Sequence, residues 1–319
     1  MLERQIAGST GRTLNIGTRG SKLALAQTDL IRSAFQDIHP EIACTVTRIT
    51  TKGDQVQDRP LSAIGDKGLF VGEIEQALRD GVIDLAVHSA KDLPSELPTD
   101  MALAAFPRRA DPRDVLVTRD GSKLTKLASG SIVGTSSLRR LCQLRYLRPD
   151  LRIEDLRGNV DTRLRRLSEG GFDGIVLAAA GLERLGLVNQ PVEYLSSFVM
   201  LPAVGQGALA IETRADDTGT IALMQGLDDA VTRVAVTAER AFLRRVSGGC
   251  QVPIAAFGYV ERDQLTLTGL IGRTDGKFVR GNLFGSVGDA EDMGFRLAER
   301  LLDSGGRELL RGVEGISDV

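Results

Sequence analysis

From Leu14 onward, short apolar runs alternate with stretches whose apolar residues recur at helical spacing. Leu14–Thr18 reads as a strand, and Leu23, Leu25, Ala26, Leu30 and Ile31 form the stripe of a helix starting near Ser21. A second strand is predicted at about Ile42–Ile49. Residues 52–68, rich in Gly and Asp, read as a long loop. A helix at about Val71–Arg79 then leads to a strand at Asp84–His88. After Pro107–Pro112, a plausible crossing between domains, the alternation restarts. Strands at about 114–118, 131–134, 152–156 and 173–178 are interleaved with helices at 136–147, 160–168 and 179–185. Strands separated by helices predict mainly parallel α/β sheets. From about 230 the texture changes to a helix over Val231–Val246, then alternating strands with turns at Arg262-Asp263 and Asp275-Gly276, then a helix near 289–302. That is an α+β pattern and a separate small domain.

At 319 residues the chain is too long for one ordinary core, so two or three domains are expected. A net charge of -2 gives no overall pull toward nucleic acid or an anionic membrane. With no Trp and three Tyr, stacking surfaces for single strands are scarce. The cysteines Cys44, Cys142 and Cys250 form no CxxC pair and the only histidines are His39 and His88, which argues against a metal site. The first twenty residues lack the apolar core of an export signal, and no 18-residue apolar run occurs. A cytoplasmic protein in a reducing compartment is expected.

Only seven of the 40 basic residues are lysine, and the arginines cluster. Between Leu138 and Arg166 nine arginines face four acids, Asp150, Glu154, Asp155 and Asp161. Arg139 and Arg140 fall in the first turn of a helix, where the dipole disfavours cations, a placement that makes sense with a bound anion beside them. Arg157 follows a strand, at the carboxyl end where open α/β sheets place ligands. Arg145, Arg148, Arg165 and Arg166 read as a solvated face. Two strand-to-helix turns, Gly17–Ser21 and Gly134–Ser137, offer free N–H groups, with Ser21 and Ser136 as ordinary N-caps or as halves of a polyanion site across a cleft. In Leu85–Pro94 an apolar strand ends in Lys91 and Asp92, a turn carboxylate or an acid/base. His88 reads as a packed strand residue. Ser247–Pro253 sets the lone Cys250 in a Gly-Gly loop, positioned like a nucleophile, whereas Cys44 and Cys142 read as small hydrophobes.

These segments together resemble the porphobilinogen deaminase family, from about Leu14 to about Leu310. The matching stretches are GTRGS (17–21), KGLF (67–70), AVHSAKDLP (86–94), DPRD (111–114), GTSSLRR (134–140), LRGNVDTR (156–163), LPAVGQGAL (201–209) and GGCQVP (248–253). The resemblance implies two α/β domains similar to type II periplasmic binding proteins plus a small α+β C-terminal domain. The expected division is 1–107 with 208–228, then 112–202, then 230–319. It implies a transferase that condenses four porphobilinogens head to tail, with loss of ammonia, into hydroxymethylbilane for tetrapyrrole biosynthesis. The dipyrromethane cofactor would be a thioether on Cys250 and the acid/base carboxylate would be Asp92. Asp54, Lys91, Ser137, Arg139, Arg140 and Asn159 would lie on the cofactor or growing chain. Arg19, Ser21, Arg157, Arg163, Arg184 and Gln206 would hold substrate and chain carboxylates. A monomer is expected, passing product to uroporphyrinogen-III synthase, with no nucleic acid and no membrane. Two departures fall at Ala63, where relatives often carry Lys, and Asp161, where Gly or Gln is frequent. The rival reading is a non-catalytic two-domain protein that binds polycarboxylates or other anions.

Overall fold

The computed structural model describes residues 13–51, 71–187, 192–246 and 252–314, with residues 312–314 described by backbone alone. Asp54, Ala63, the predicted loop and Cys250 lie outside the described residues. The chain begins with β1 (Thr13–Arg19), whose Leu14 and Ile16 point inward. Ser21 ends the turn that follows, and its Oγ accepts from the Ala24 N–H at 3.2 Å. That cap starts α1 (Lys22–Ile38), which lays Ile31 and Phe35 on the sheet. Next come β2 (Ala43–Ile49), α2 (Gly72–Arg79), β3 (Leu85–Ser89) and β4 (Met101–Ala105).

The chain then crosses to a second sheet. Its elements are β5 (Asp114–Thr118), β6 (Ile132–Gly134), α3 (Leu138–Leu147), β7 (Arg152–Glu154), α4 (Val160–Ser168), β8 (Gly174–Ala178), α5 (Ala179–Arg184) and β9 (Val192–Leu195). It returns through β10 (Leu209–Arg214) and α6 (Thr218–Met224) to the first unit. The remainder is α7 (Ala230–Val246), the meander β11 (Ile254–Glu261), β12 (Gln264–Gly272) and β13 (Phe278–Ser286), then α8 (Ala290–Leu301) and α9 (Arg307–Glu314).

The first sheet has the order β2-β1-β3-β10-β4, and the second β7-β6-β8-β5-β9. In each, the strands followed by helices pair in parallel, as β1 does with β2 and β3, and β6 with β7 and β8. In each, one strand next to the crossing runs antiparallel to both neighbours: β10 in the first, β5 in the second. The sheets are therefore mixed rather than mainly parallel, because β5 and β10 enter straight from the crossing segments without a helical crossover. The third unit is α+β, with α7 and α8 covering β11–β13 around Phe242, Leu267, Ile271 and Leu297. Its helices approach so closely that a Cβ at Gly294 would collide with the Ala238 carbonyl.

Two crossing segments run side by side between the α/β units. The Ala110 N–H donates to the Gly207 carbonyl at 3.2 Å, and Arg109 Nε donates to the Gln206 carbonyl at 2.8 Å. The third unit grips this pair through buried Glu239. That carboxylate accepts from Arg109 Nη1 at 2.6 Å, Arg109 Nη2 at 3.1 Å, Gly205 N–H at 2.6 Å and Gly258 N–H at 2.9 Å. Four donors in fixed positions make this buried pair tolerable where an unpaired charge would be costly. Among the described residues, no helix is long and apolar enough to cross a membrane.

Candidate functional site

The carboxyl ends of β1 and β3 face that of β8, and the turn that follows β7, across a cleft of about 340 Å³. From the first unit come Arg19, at the end of β1, Ser21, at the cap of α1, and Lys91 and Asp92, on the single helical turn Ala90–Asp92 that follows β3. From the second come Arg140 of α3, Asn159 at the cap of α4, Arg163 within α4, and Arg184 at the end of α5. Gly158, at a φ of 106°, turns the chain into α4, and Arg163 Nε donates back to its carbonyl at 2.8 Å. Arg184 Nη2 donates to the Gly207 carbonyl at 2.7 Å, which ties the second unit to the return crossing.

The second helix start on the cleft is thus that of α4. The turn at Gly134–Ser137 was the sequence expectation, but there the cap is Ser137 rather than Ser136, its side chain makes no cap bond, and it does not line the cleft. What α3 brings to the cleft is Arg140. The anion its first turn calls for is internal. Asp114, fully buried at the start of β5, accepts from Arg139 Nη1 at 2.6 Å and Nη2 at 3.2 Å, and from Arg140 Nη2 at 2.7 Å and Nε at 3.1 Å. Gln206 Nε2 adds a fifth bond to it at 3.0 Å and also donates to the Pro112 carbonyl at 2.7 Å. Burial alone would raise the Asp114 pKa, but the two guanidiniums outweigh it and hold the carboxyl well below the usual range. Arg139 and Gln206 therefore lie behind the cleft wall rather than on it. Arg157 also lies off the cleft, with Nε on Asp155 at 2.7 Å.

The cleft is cationic. Arg19, Lys22, Lys91, Arg140, Arg163 and Arg184 line it, against Asp92 and Asp161. Lys91 and Asp92 present surface to the cleft, yet its walls strip Lys91 of hydration and push its pKa down, with Asp92 opposing and Arg140 adding to the shift. Burial likewise lowers Arg163 to about 10, helped by Arg140 and opposed by Asp155. Burial lowers Arg184 too, against Glu183. Each shift comes chiefly from burial, which disfavours the charged form. Bound carboxylates would offset that cost through the paired hydrogen bonds a guanidinium offers.

Several lining groups were given no site role from the sequence. Lys22 and Asp161 meet across the cleft at 2.9 Å. Gln27 Nε2 donates to Ser89 Oγ at 2.9 Å, just before the Lys91-Asp92 turn. Ser89 carried a signal in the polar end of its strand, whereas Gln27 was one polar residue on an amphipathic helix. Arg145 is exposed as read, though its Nη1 also donates to the Thr274 carbonyl in the third unit at 2.6 Å. The reading of Arg148 as solvated is corrected: it is half-buried and holds Asp150 and the Leu124 and Leu127 carbonyls. Arg165 remains on the surface beside Glu169. His88 is packed in its strand, with Nε2 2.9 Å from a Glu212 oxygen. Among the described residues no cluster of His, Cys, Asp or Glu could hold a metal.

A two-lobed α/β frame with a cationic cleft and a carboxylate on a turn beside it suits an anionic ligand. Residues 14–222 match the family model described as porphobilinogen deaminase, dipyromethane cofactor binding domain, and 233–303 match the porphobilinogen deaminase C-terminal domain. The chain is 61% identical over 301 residues to the porphobilinogen deaminase of Roseiflexus sp. (strain RS-1), covering 94% of this chain and 99% of the relative. It is 51% identical over 302 residues to that of Brevibacillus brevis, covering 93% and 96%. The chain belongs to the porphobilinogen deaminase family, transferases that carry a dipyrromethane cofactor. Among solved structures it is similar to the periplasmic aliphatic sulphonate binding protein of Escherichia coli, with a TM-score of 0.41, 16% identity, and 73% and 70% of the two chains covered. It is also similar to an arginine-specific periplasmic binding protein of Salmonella typhimurium, with a TM-score of 0.40, 16% identity, and 70% and 94% covered.

Proposed function

We propose that this cleft condenses porphobilinogen, four molecules head to tail with one ammonia lost at each step, and that its residues divide into a proton-handling turn and a set of carboxylate clamps. The observation that carries the assignment is the meeting, in one cleft, of the Lys91-Asp92 turn with Arg19, Arg140, Arg163 and Arg184. The residues fit the cofactor. Dipyrromethane carries two acetates and two propionates, and the described cleft has cations in excess of acids, three of them with pKa values lowered chiefly by burial. When bound, the cofactor supplies the pyrrole carbon that receives the next unit.

Asp92 is the one acid on the catalytic turn. Its carboxylate accepts hydrogen bonds from pyrrole N–H groups, offsets positive charge that develops as ammonia leaves, and carries the proton released on coupling. Lys91 stands beside it with a weakened hold on its own proton, serving the cofactor's carboxylates. Arg19, Ser21, Arg163 and Arg184 hold the carboxylates of incoming and added units, with Asn159 at the α4 cap facing the growing chain. Arg140 reaches the cofactor from the wall. Arg139 and Gln206 serve through Asp114, and Ser137 and Arg157 border the site. Cys250 and Asp54 complete the reading, as the thioether anchor and a contact to the cofactor.

The chain is assigned to the cytoplasm as a monomer that hands its product to uroporphyrinogen-III synthase. The test is the intact mass of the purified protein. It should exceed the sequence mass by two pyrrole units, with peptide mapping on Cys250, and Cys250→Ser should lose the adduct. A fully active protein without the adduct would overturn the reading.

A further inference from the structure

A second concavity, of about 500 Å³, lies between the first α/β unit and α7, lined by none of the residues of the condensation cleft. One wall is apolar, made of Leu97, Met101, Leu103 and Phe106. The other is one face of α7, where Arg233, Thr237, Arg240 and Arg244 follow each other at helical spacing. Two of these arginines are already neutralised. Arg233 pairs with Asp228 at 2.6 Å, and Arg244 with Glu291 at 2.5 Å.

Arg240 differs. It is 5% exposed and pairs with no carboxylate among the described residues. Its Nη2 donates to the carbonyls of Pro94 at 2.9 Å and Ser95 at 3.3 Å, and among the described residues no partner engages Nε or Nη1. Glu212 lies behind it on β10 but sits against His88, and Glu96 is exposed at the rim. Burial pushes Arg240 down to about 10, with Arg244 adding and Glu212 opposing. A buried cation held only by carbonyls is an incompletely compensated charge, the costly case in a protein interior. The free edge of its guanidinium belongs to a groove whose facing wall is apolar.

We propose that this groove is a second ligand site, separate from the condensation cleft, for a small amphipathic anion: an apolar ring or chain bearing one carboxylate. The carboxylate completes the charge of Arg240 through Nε and Nη1, and the apolar part lies against Leu97, Met101 and Phe106. The volume is that of an ordinary small-molecule pocket. Because Arg240 also holds the carbonyls of Pro94 and Ser95, an occupant bears on the segment that follows Asp92.

The probe is 2-naphthoate, titrated into holoenzyme carrying methyl-labelled methionine, with 2-naphthalenemethanol as the uncharged twin. Met101 lines the groove, so its methyl resonance reports occupancy there and not in the condensation cleft. Naphthoate should shift that signal saturably, the alcohol should not, and porphobilinogen should not compete. Arg240→Gln should weaken binding about tenfold or more, the loss of a charge-assisted pair. Thr237→Glu, one turn away on the same half-exposed face, supplies an internal counter-ion and should weaken it as much without loss of fold. Equal binding of the alcohol, or wild-type affinity in Thr237→Glu, overturns the proposal. So does an unmoved Met101 signal.

Discussion

Asp114→Asn tests whether the arginine pair at the start of α3 is held by an internal anion. The substitution keeps the shape of the side chain and removes its charge. Two guanidiniums, each about 5% exposed, would then share one neutral amide in place of a carboxylate that takes five hydrogen bonds. Breaking a buried ion pair by removing one partner costs about 3–5 kcal/mol. For a protein of this size that is roughly 6–20 °C in the melting midpoint. The fold should survive as a less stable holoenzyme, measured by calorimetry or by circular dichroism on heating. The pH dependence has a definite sign. The folded-state pKa of Asp114 is depressed, so its stabilisation is complete above the ordinary carboxylate range, near about 4, and is lost as pH falls below it. Asp114→Asn should therefore flatten the acid limb of the stability curve while lowering its plateau. A midpoint within a degree or two of wild type, with an unchanged acid limb, refutes the argument and returns Arg139 and Arg140 to service as clamps for an external anion.

Asp92→Asn should keep the fold and the cofactor adduct but lose turnover by about 10²–10⁴-fold, the usual worth of a positioned acid/base. Activity within a few-fold of wild type would make Asp92 a turn residue only. The Cys142 thiol is raised to about 11 by burial, so at pH 8 only on the order of one molecule in a thousand carries the thiolate there. Iodoacetamide should leave Cys142 unmodified in the folded protein, with its labelling rising steeply as pH approaches 11. Rapid labelling at pH 8, read by peptide mass, would contradict the packing of Sγ against the Lys277 carbonyl at 3.6 Å.

Elements whose signal is local were legible in the sequence. The strand, small-residue turn and capped helix of Leu14–Ile38 declare themselves within 25 residues, and the 17-residue α7 shows its stripe directly. The strands β4, β9 and β10 were not read. Their short runs follow proline-bearing or loop-like stretches, and they acquire meaning only through partners distant in the chain, as Ile211 does beside Val87. The same limit governed the site. Lys91, Asp92, Arg19 and Arg163 stand at strand ends or helix starts, where a motif exposes them. Arg139 and Arg140 were read as standing beside a bound anion; the anion that pairs with them here, Asp114, lies 25 and 26 residues upstream, beyond any local pattern. Arg145 has a surface spacing on α3 and finds its carbonyl 129 residues later.

The return of β10 to the middle of the first sheet also sets an order of events at the ribosome. All five strands of the second sheet come from one uninterrupted stretch, β5 to β9, and can pair as soon as that stretch has emerged. The first sheet cannot close so early. Among the described residues its edge strand β4 pairs only with β10, which is synthesised after the whole second sheet. The amino-terminal unit therefore waits, with β3 and β4 lacking their shared neighbour, while the unit inserted into it folds. A truncated chain ending before Leu209 would keep a sound second sheet and leave the first with an open apolar seam, a surface for chaperones to cover.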